Sequence, residues 1–261
     1  MQEQKETTKK STKVVATKTN SVLASTGSDI NSSWGAEEAT STDIIIPKLL
    51  LMHGLSKEVQ SGNKTQGDLI RSTTLEMLAK KGEKLSVIPF MMTKTWRISD
   101  ISESPPRWKR DETWNATNDE LPWEFEEVDP RDSKNKKMRR DKAFNFFAMV
   151  AKDIDKGGAF PIKLQFLRTS SQAGRAIADY FAKSRMFNKP PAAQMWDISS
   201  ELVTGAKPYF KFIASPSTNT AEAHLVECKN WFEMIKGNAS KVKEHEVDEA
   251  DESVTGQKDE F

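Results

Sequence analysis

The stretch LSVIPFMMTKTWRI, Leu85 to Ile98, has the two-residue period of a β-strand. From Phe90 onward the alternation puts Phe90, Met92, Lys94, Trp96 and Ile98 on one face. Met91, Thr93, Thr95 and Arg97 fall on the other. Pro89 lacks a backbone donor, so it implies an edge position or a bulge at that point. A second strand signal is AFNFFAMV, Ala143 to Val150. After a turn ending in Gly157-Gly158 comes FPIKLQFLRTS, in which Ile162, Leu164 and Phe166 alternate with Lys163, Gln165 and Leu167. Two such runs about a turn predict a hairpin.

Working outward, shorter strand candidates lie at Ile44–Ile46 and Leu49–Met52, on either side of Pro47. Others are Gln194–Ser199 and the PYFKFIA segment after Gly205. Helical spacing occurs twice. Thr169 or Ser170 can cap a helix whose stripe is Ala173, Ile177 and Phe181, stopped by Asn188, Pro190 and Pro191. A second helix is predicted in EAHLVECKNWFEMIKG, closed by Gly237. The class is therefore β-rich α+β, with one or two helices in a single domain over residues 43–237.

Composition sets the borders of that domain. Residues 1–42 are rich in Ser, Thr and Lys without apolar periodicity, and predict a disordered arm. Residues 238–261 predict a disordered acidic tail, which closes as EHEVDEADESVTGQKDEF. Residues 99–142 interrupt the strand pattern. Asp100 to Asp129 hold ten acidic and three basic residues together with Trp108, Trp114 and Trp123. Arg131 to Lys142 then reverse sign. This stretch is expected to be a long charged insertion, pinned by its tryptophans.

The chain as a whole carries a charge of +1. Lys241 to Phe261 hold three lysines against eight carboxylates, a local charge of −5, which leaves +6 on the first 240 residues. A basic body with an acidic tail points toward nucleic acid. No apolar run reaches the roughly 18 residues needed to span a bilayer, so no membrane contact is expected, and a cytoplasmic, reducing location fits. Cys228 is the only cysteine, which excludes an internal disulfide and a cysteine-rich zinc site. His53, His224 and His245 are scattered, and no glycine-rich phosphate cradle is present. A non-enzymatic protein without metal or cofactor is the expectation.

What recurs instead is an aromatic residue beside a cation. Lys94 and Trp96 share a strand face with Arg97 adjoining; Trp108 precedes Lys109-Arg110; Tyr209 and Lys211 share one face of PYFKFIA. Bases stack on aromatic rings for about 1–3 kcal/mol each while lysine and arginine track the phosphates, which is how single strands are held without sequence readout. Lys163 and Arg168 add cations along the second hairpin strand, and Lys136, Lys137, Arg139 and Arg140 form a run that could contact DNA or dock the tail.

The layout resembles phage-type single-stranded DNA-binding proteins of replication and recombination. The resemblance rests on Glu244–Glu252 with Asp259-Glu260-Phe261, and more loosely on IIIPKLLLMHGLS, VIPFMMTKTW and LQFLRTSSQAGRAIADYF. It implies an OB-fold-like barrel and a tail whose Asp251, Glu252, Asp259, Glu260 and Phe261 recruit replication or recombination proteins. It further implies that the tail covers the DNA groove until a single strand displaces it, in the host cytoplasm if the gene is a phage gene. The long 99–142 segment and the Gln257-Lys258 break in the acid run depart from that pattern. Alternatives are an RNA-binding or strand-annealing protein, or a structural or regulatory phage-type protein that binds no nucleic acid. A homo-oligomer is compatible with all of these.

Overall fold

The computed structural model describes residues 45–102, 104, 106–115, 117–129, 133–157, 159–205, 207–237 and 243–244. The expected N-terminal arm and the tail positions Asp251, Glu252, Asp259, Glu260 and Phe261 lie outside the described residues. In chain order the first strands are β1 (Ile45–Ile46), β2 (Leu49–Leu51), β3 (Leu69–Arg71), β4 (Met77–Ala79), β5 (Leu85–Asp100) and β6 (Arg107–Thr113). They are followed by β7 (Glu124–Val128), β8 (Asn135–Val150), β9 (Ile162–Phe166), β10 (Gln194–Val203), β11 (Tyr209–Asn219) and β12 (Lys243–Glu244). The helices are α1 (Lys57–Gln60), α2 (Ala151–Asp155), α3 (Ser171–Met186) and α4 (Glu222–Gly237). The protein is a β-rich α+β structure built on a mostly antiparallel sheet.

β5 and β8 are sixteen residues each and pair antiparallel from Val87↔Val150 to Asp100↔Met138. At one end of this ribbon β10 joins β5 and β9 joins β8, making the body. At the other end β6 joins β5 and β7 joins β8, making a four-stranded arm. β11 extends the body beyond β10. A separate small sheet holds β2, β3 and β4, and a two-residue parallel pair links β1 to β12. Among the described residues the large sheet stays open and no closed barrel forms.

The bulge foreshadowed by Pro89 decides which side chains share a face. The β5–β8 register shifts between Pro89 and Met91. One extra residue in one strand inverts everything beyond it. Phe90 therefore joins Ile88, Phe147 and Met149 in a core completed by Cys228 and Ile235 of α4. Met92 packs on the opposite side, against Phe144, Phe146 and the larger core that includes Leu164, Trp196 and Ile177 of α3. The expected common face of Phe90 with Met92 and Trp96 is corrected by this inversion. Pro89 itself sits between the segments of β5 that pair with β10 and with β6, where its missing donor costs no ladder bond.

The long charged segment 99–142 carries, among its described residues, β6, β7 and the first half of β8, which with the end of β5 make up the arm. The acid and base runs that hide a strand pattern are matched across β7 and β8, where Glu124 faces Arg139, Glu126 faces Lys137 and Glu127 faces Lys136. Opposite charges directly across a ladder stabilise it, so neither run needs an apolar face. The cationic stretch from Lys134 to Lys142 is accordingly largely β-strand instead of loop. Trp114 pins the arm by packing its ring 5.7 Å from Trp96 and 5.2 Å from Phe144. Trp123 remains 56% exposed.

α3 closes the large core through a glycine. A Cβ at Gly174 would lie 2.8 Å from the Cβ atoms of both Phe144 and Phe166. Gly174→Ala should therefore lower stability by about 1–3 kcal/mol in urea denaturation, although alanine is the better helix former. Cys228 is buried, and burial pushes its thiol up to about 12. A thiol reagent at pH 8 should leave the folded protein unmodified and titrate one thiol after denaturation; rapid labelling of the native state would contradict this placement.

Candidate functional site

The inward period of the arm produces a polar face. On one side of the β5–β8 ribbon stand Thr93, Thr95, Arg97 and Ser99 from β5, with Asn145, Ala143, Asp141 and Arg139 from β8 opposite them in that order. Gln165 of β9 lies beside Asn145. A chain of hydrogen bonds crosses three strands here. Arg97 Nη1 donates to Gln165 Oε1 at 2.6 Å, Gln165 Nε2 donates to Asn145 Oδ1 at 2.9 Å, and Asn145 Nδ2 donates to Thr95 Oγ1 at 3.0 Å. Each amide is oriented by its neighbour, so the buried Arg97 guanidinium is held in one place.

Over this face runs a groove of about 140 Å³, lined by Lys48, His53, Arg97, Trp108, Arg168 and Tyr209, with Leu49, Leu51, Phe210 and Phe212 among its apolar residues. That volume is smaller than the 300 Å³ or more typical of an enclosed small-molecule site, and it suits a segment of a longer ligand laid across the surface. Trp108 is 38% exposed and lies 5.9 Å from the Arg97 guanidinium, its Nε1 donating to Asp111 Oδ1 at 3.0 Å. Arg168 donates from Nε and Nη2 to Asp141 Oδ2 at 3.0 and 2.8 Å. Its backbone φ is +43°, a left-handed value that a non-glycine residue keeps only where the surrounding structure imposes it. Burial pushes the Asp141 carboxyl above the usual carboxylate range, while Arg139 and Arg97 pull it back.

The twelve positions expected to touch nucleic acid divide sharply. Arg97, Trp108, Arg168 and Tyr209 converge on the groove. Arg139 stands behind it, with Nε 3.3 Å from Asp141 Oδ2, and Lys137 shares that face of β8 and is exposed. Lys94, Trp96, Lys136 and Arg140 point to the opposite face. Trp96 is 2% exposed and donates from Nε1 to the Asn118 carbonyl, so it is a core ring with no face to offer a base. Lys94 lies over the Trp114 ring, Lys136 pairs with Asp129 at 2.7 Å, and Arg140 stacks 3.7 Å from the Phe125 ring. Lys163 is buried on β9, and Lys211 pairs across the ladder with Glu201 at 3.1 Å. The cationic run is thus split by strand alternation, which sends Lys137 and Arg139 one way and Lys136 and Arg140 the other.

Lys48, His53, Asp141, Asn145 and Gln165 were not foreseen. Lys48 reaches the site because it forms a parallel bridge with Lys163, far away in the chain, and nothing local to Lys48 announces that. Among the described residues no cluster of three His, Cys, Asp or Glu residues could hold a metal, and no helix is long and apolar enough to cross a membrane. No family model, curated protein or solved structure matches the chain.

The two tryptophans should behave differently. Trp96→Ala should cost about 3–5 kcal/mol of stability by emptying a packed site. Trp108→Ala, at the surface, should shift stability by less than about 1 kcal/mol. Urea unfolding of both variants checks this, and comparable losses would contradict the assignment of Trp108 to the groove wall.

Proposed function

We propose that the groove holds single-stranded DNA, with bases lying on Trp108 and Tyr209 and the phosphate backbone tracked by Lys48, Arg97 and Arg168. The observation that carries this reading is the convergence of those two rings with two arginines, brought together from β5, β6, β11 and the β9–α3 junction. Ring faces bind any base, and arginine on phosphate reads no sequence, so the binding is sequence-tolerant. The exposed Lys137 on the same face of β8 extends the positive track along the arm.

In this reading the protein is a binding protein of the phage single-stranded DNA-binding type, acting in replication and recombination in the cytoplasm of the host. The open sheet with a helix between strands is taken as OB-like, an OB-fold being itself only a partly open barrel. The acidic residues 244–261, with Asp251, Glu252, Asp259, Glu260 and Phe261, act as a phosphate mimic that competes for the groove. Once displaced by DNA, they recruit partner proteins.

Titrating intrinsic tryptophan fluorescence with poly-dT, RNA and duplex DNA over a range of salt tests the reading. Quenching by poly-dT that weakens steeply with salt is expected; a preference for duplex or RNA, or no quenching at all, would overturn it. Trp108→Ala and Tyr209→Ala should each weaken poly-dT binding by about 1–3 kcal/mol, whereas Lys94→Ala, on the far face, should leave it unchanged. Removing residues 246–261 should tighten binding at low salt and abolish partner recruitment, and unchanged affinity there would count against tail competition.

A further inference from the structure

A buried acid at a phosphate-binding face requires an account. Asp141 sits in the middle of β8, directly across the ladder from Arg97, and its side chain is 4% exposed. On its Oδ2 alone it receives both Nε and Nη2 of Arg168, and Arg139 Nε lies 3.3 Å from the same oxygen. Two guanidinium groups therefore share one carboxylate oxygen, and a third, that of Arg97, comes from the residue directly across the ladder. Arg139 is only partly satisfied by this carboxylate: its Nε lies within ion-pair distance of Oδ2, while its buried Nη2 has no hydrogen-bond acceptor among the described residues. Guanidinium groups stay charged and present donors in a fork that matches phosphate oxygens as well as carboxylate oxygens.

Arg168 is the member placed to change partners. Its side chain is 33% exposed where that of Asp141 is nearly sealed, and it lines the groove while Asp141 stands behind it. Its left-handed backbone aims it across the sheet from the β9–α3 junction, so its position is imposed by tertiary structure.

We infer that Asp141 is a built-in phosphate surrogate: it holds Arg168 against the groove wall in the free protein, and an incoming phosphodiester competes with it for Arg168. This rests on the reading of the groove as a nucleic-acid site and adds to it a named phosphate subsite with an internal brake. Bare attraction by lysines would have no such brake. The brake sets affinity below the maximum that the groove's cations could supply.

The test is a poly-dT titration of the full chain at several salt concentrations, comparing the native protein with Asp141→Asn, Arg168→Gln and the double variant, each checked for folding by urea denaturation. Asp141→Asn should tighten binding by about tenfold, the scale of one charge-assisted hydrogen bond. Arg168→Gln should weaken it and flatten the logarithmic salt slope by about one, as expected for one lost phosphate contact. In the double variant the gain from Asp141→Asn should vanish. Native binding with no gain in Asp141→Asn, or a gain that survives Arg168→Gln, overturns the surrogate while leaving the proposed function standing. Absence of poly-dT binding by the native protein overturns both. If Asp141→Asn does not fold, Arg168→Gln decides alone, and an unchanged affinity and salt slope refute the subsite.

Discussion

Everything in this fold hangs on one antiparallel ladder with one flaw in it. β5 and β8 are long enough that a single ribbon serves as the floor of two cores and then continues outward as an arm. The bulge between Pro89 and Met91 makes the two uses compatible. Without it, Phe90 would fall on the side of Met92, and the core beneath α4 would lose a large side chain. With it, the ribbon buries apolar residues on both faces in the body and places Thr95, Arg97 and Ser99 together on one face of the arm. A one-residue shift in backbone pairing thereby determines where the polar face begins.

The polar face is costly, and its architecture shows how the cost is offset. Arg97, Asp141, Asn145 and Lys163 are buried, and burying charge or amide without partners would cost several kcal/mol. The amide chain from Arg97 through Gln165 and Asn145 to Thr95 satisfies part of this, and the pairing of Asp141 with Arg168 satisfies another. A hydrophobic face would have been the more stable choice for a sheet with only structural work. Under the proposed function, retaining arginines there, beside an exposed tryptophan, is stability given up for binding. On the opposite face of the arm, cations likewise lie on rings or on carboxylates, as Arg140 does on Phe125 and Lys142 does on Trp96, Trp114 and Asp119.

Much of the body is legible from sequence because its signals are local. The alternation of Ile162, Leu164 and Phe166 marks β9, and the stripe of Ala173 and Ile177 marks α3, since each element buries one face against a core. The arm is not legible in the same way. Its strands carry charge on both faces, so the two-residue period is masked, and the match of Glu124, Glu126 and Glu127 to Arg139, Lys137 and Lys136 appears only once β7 and β8 are in register. Similarly, Trp96 and Trp108 read alike in sequence as a ring beside a cation. One is sealed against Trp114 and the other lies at the groove, a difference set by neighbours that are distant in the chain.

By itself, then, the sequence determined the β-rich class, the two long helices, the break at Pro89, and the separation of a basic body from an acidic segment at 244–261. Those features follow from periodicity, proline chemistry and charge, all of which act within a few residues. Only the tertiary structure decided that the charged segment 99–142 contributes β6, β7 and the start of β8 to the sheet, that Lys137 and Arg139 part company with Lys136 and Arg140, and that Lys48, Arg97, Trp108, Arg168 and Tyr209 meet. Register and strand pairing are relations between remote segments. A site assembled across five such segments leaves no mark on any one of them.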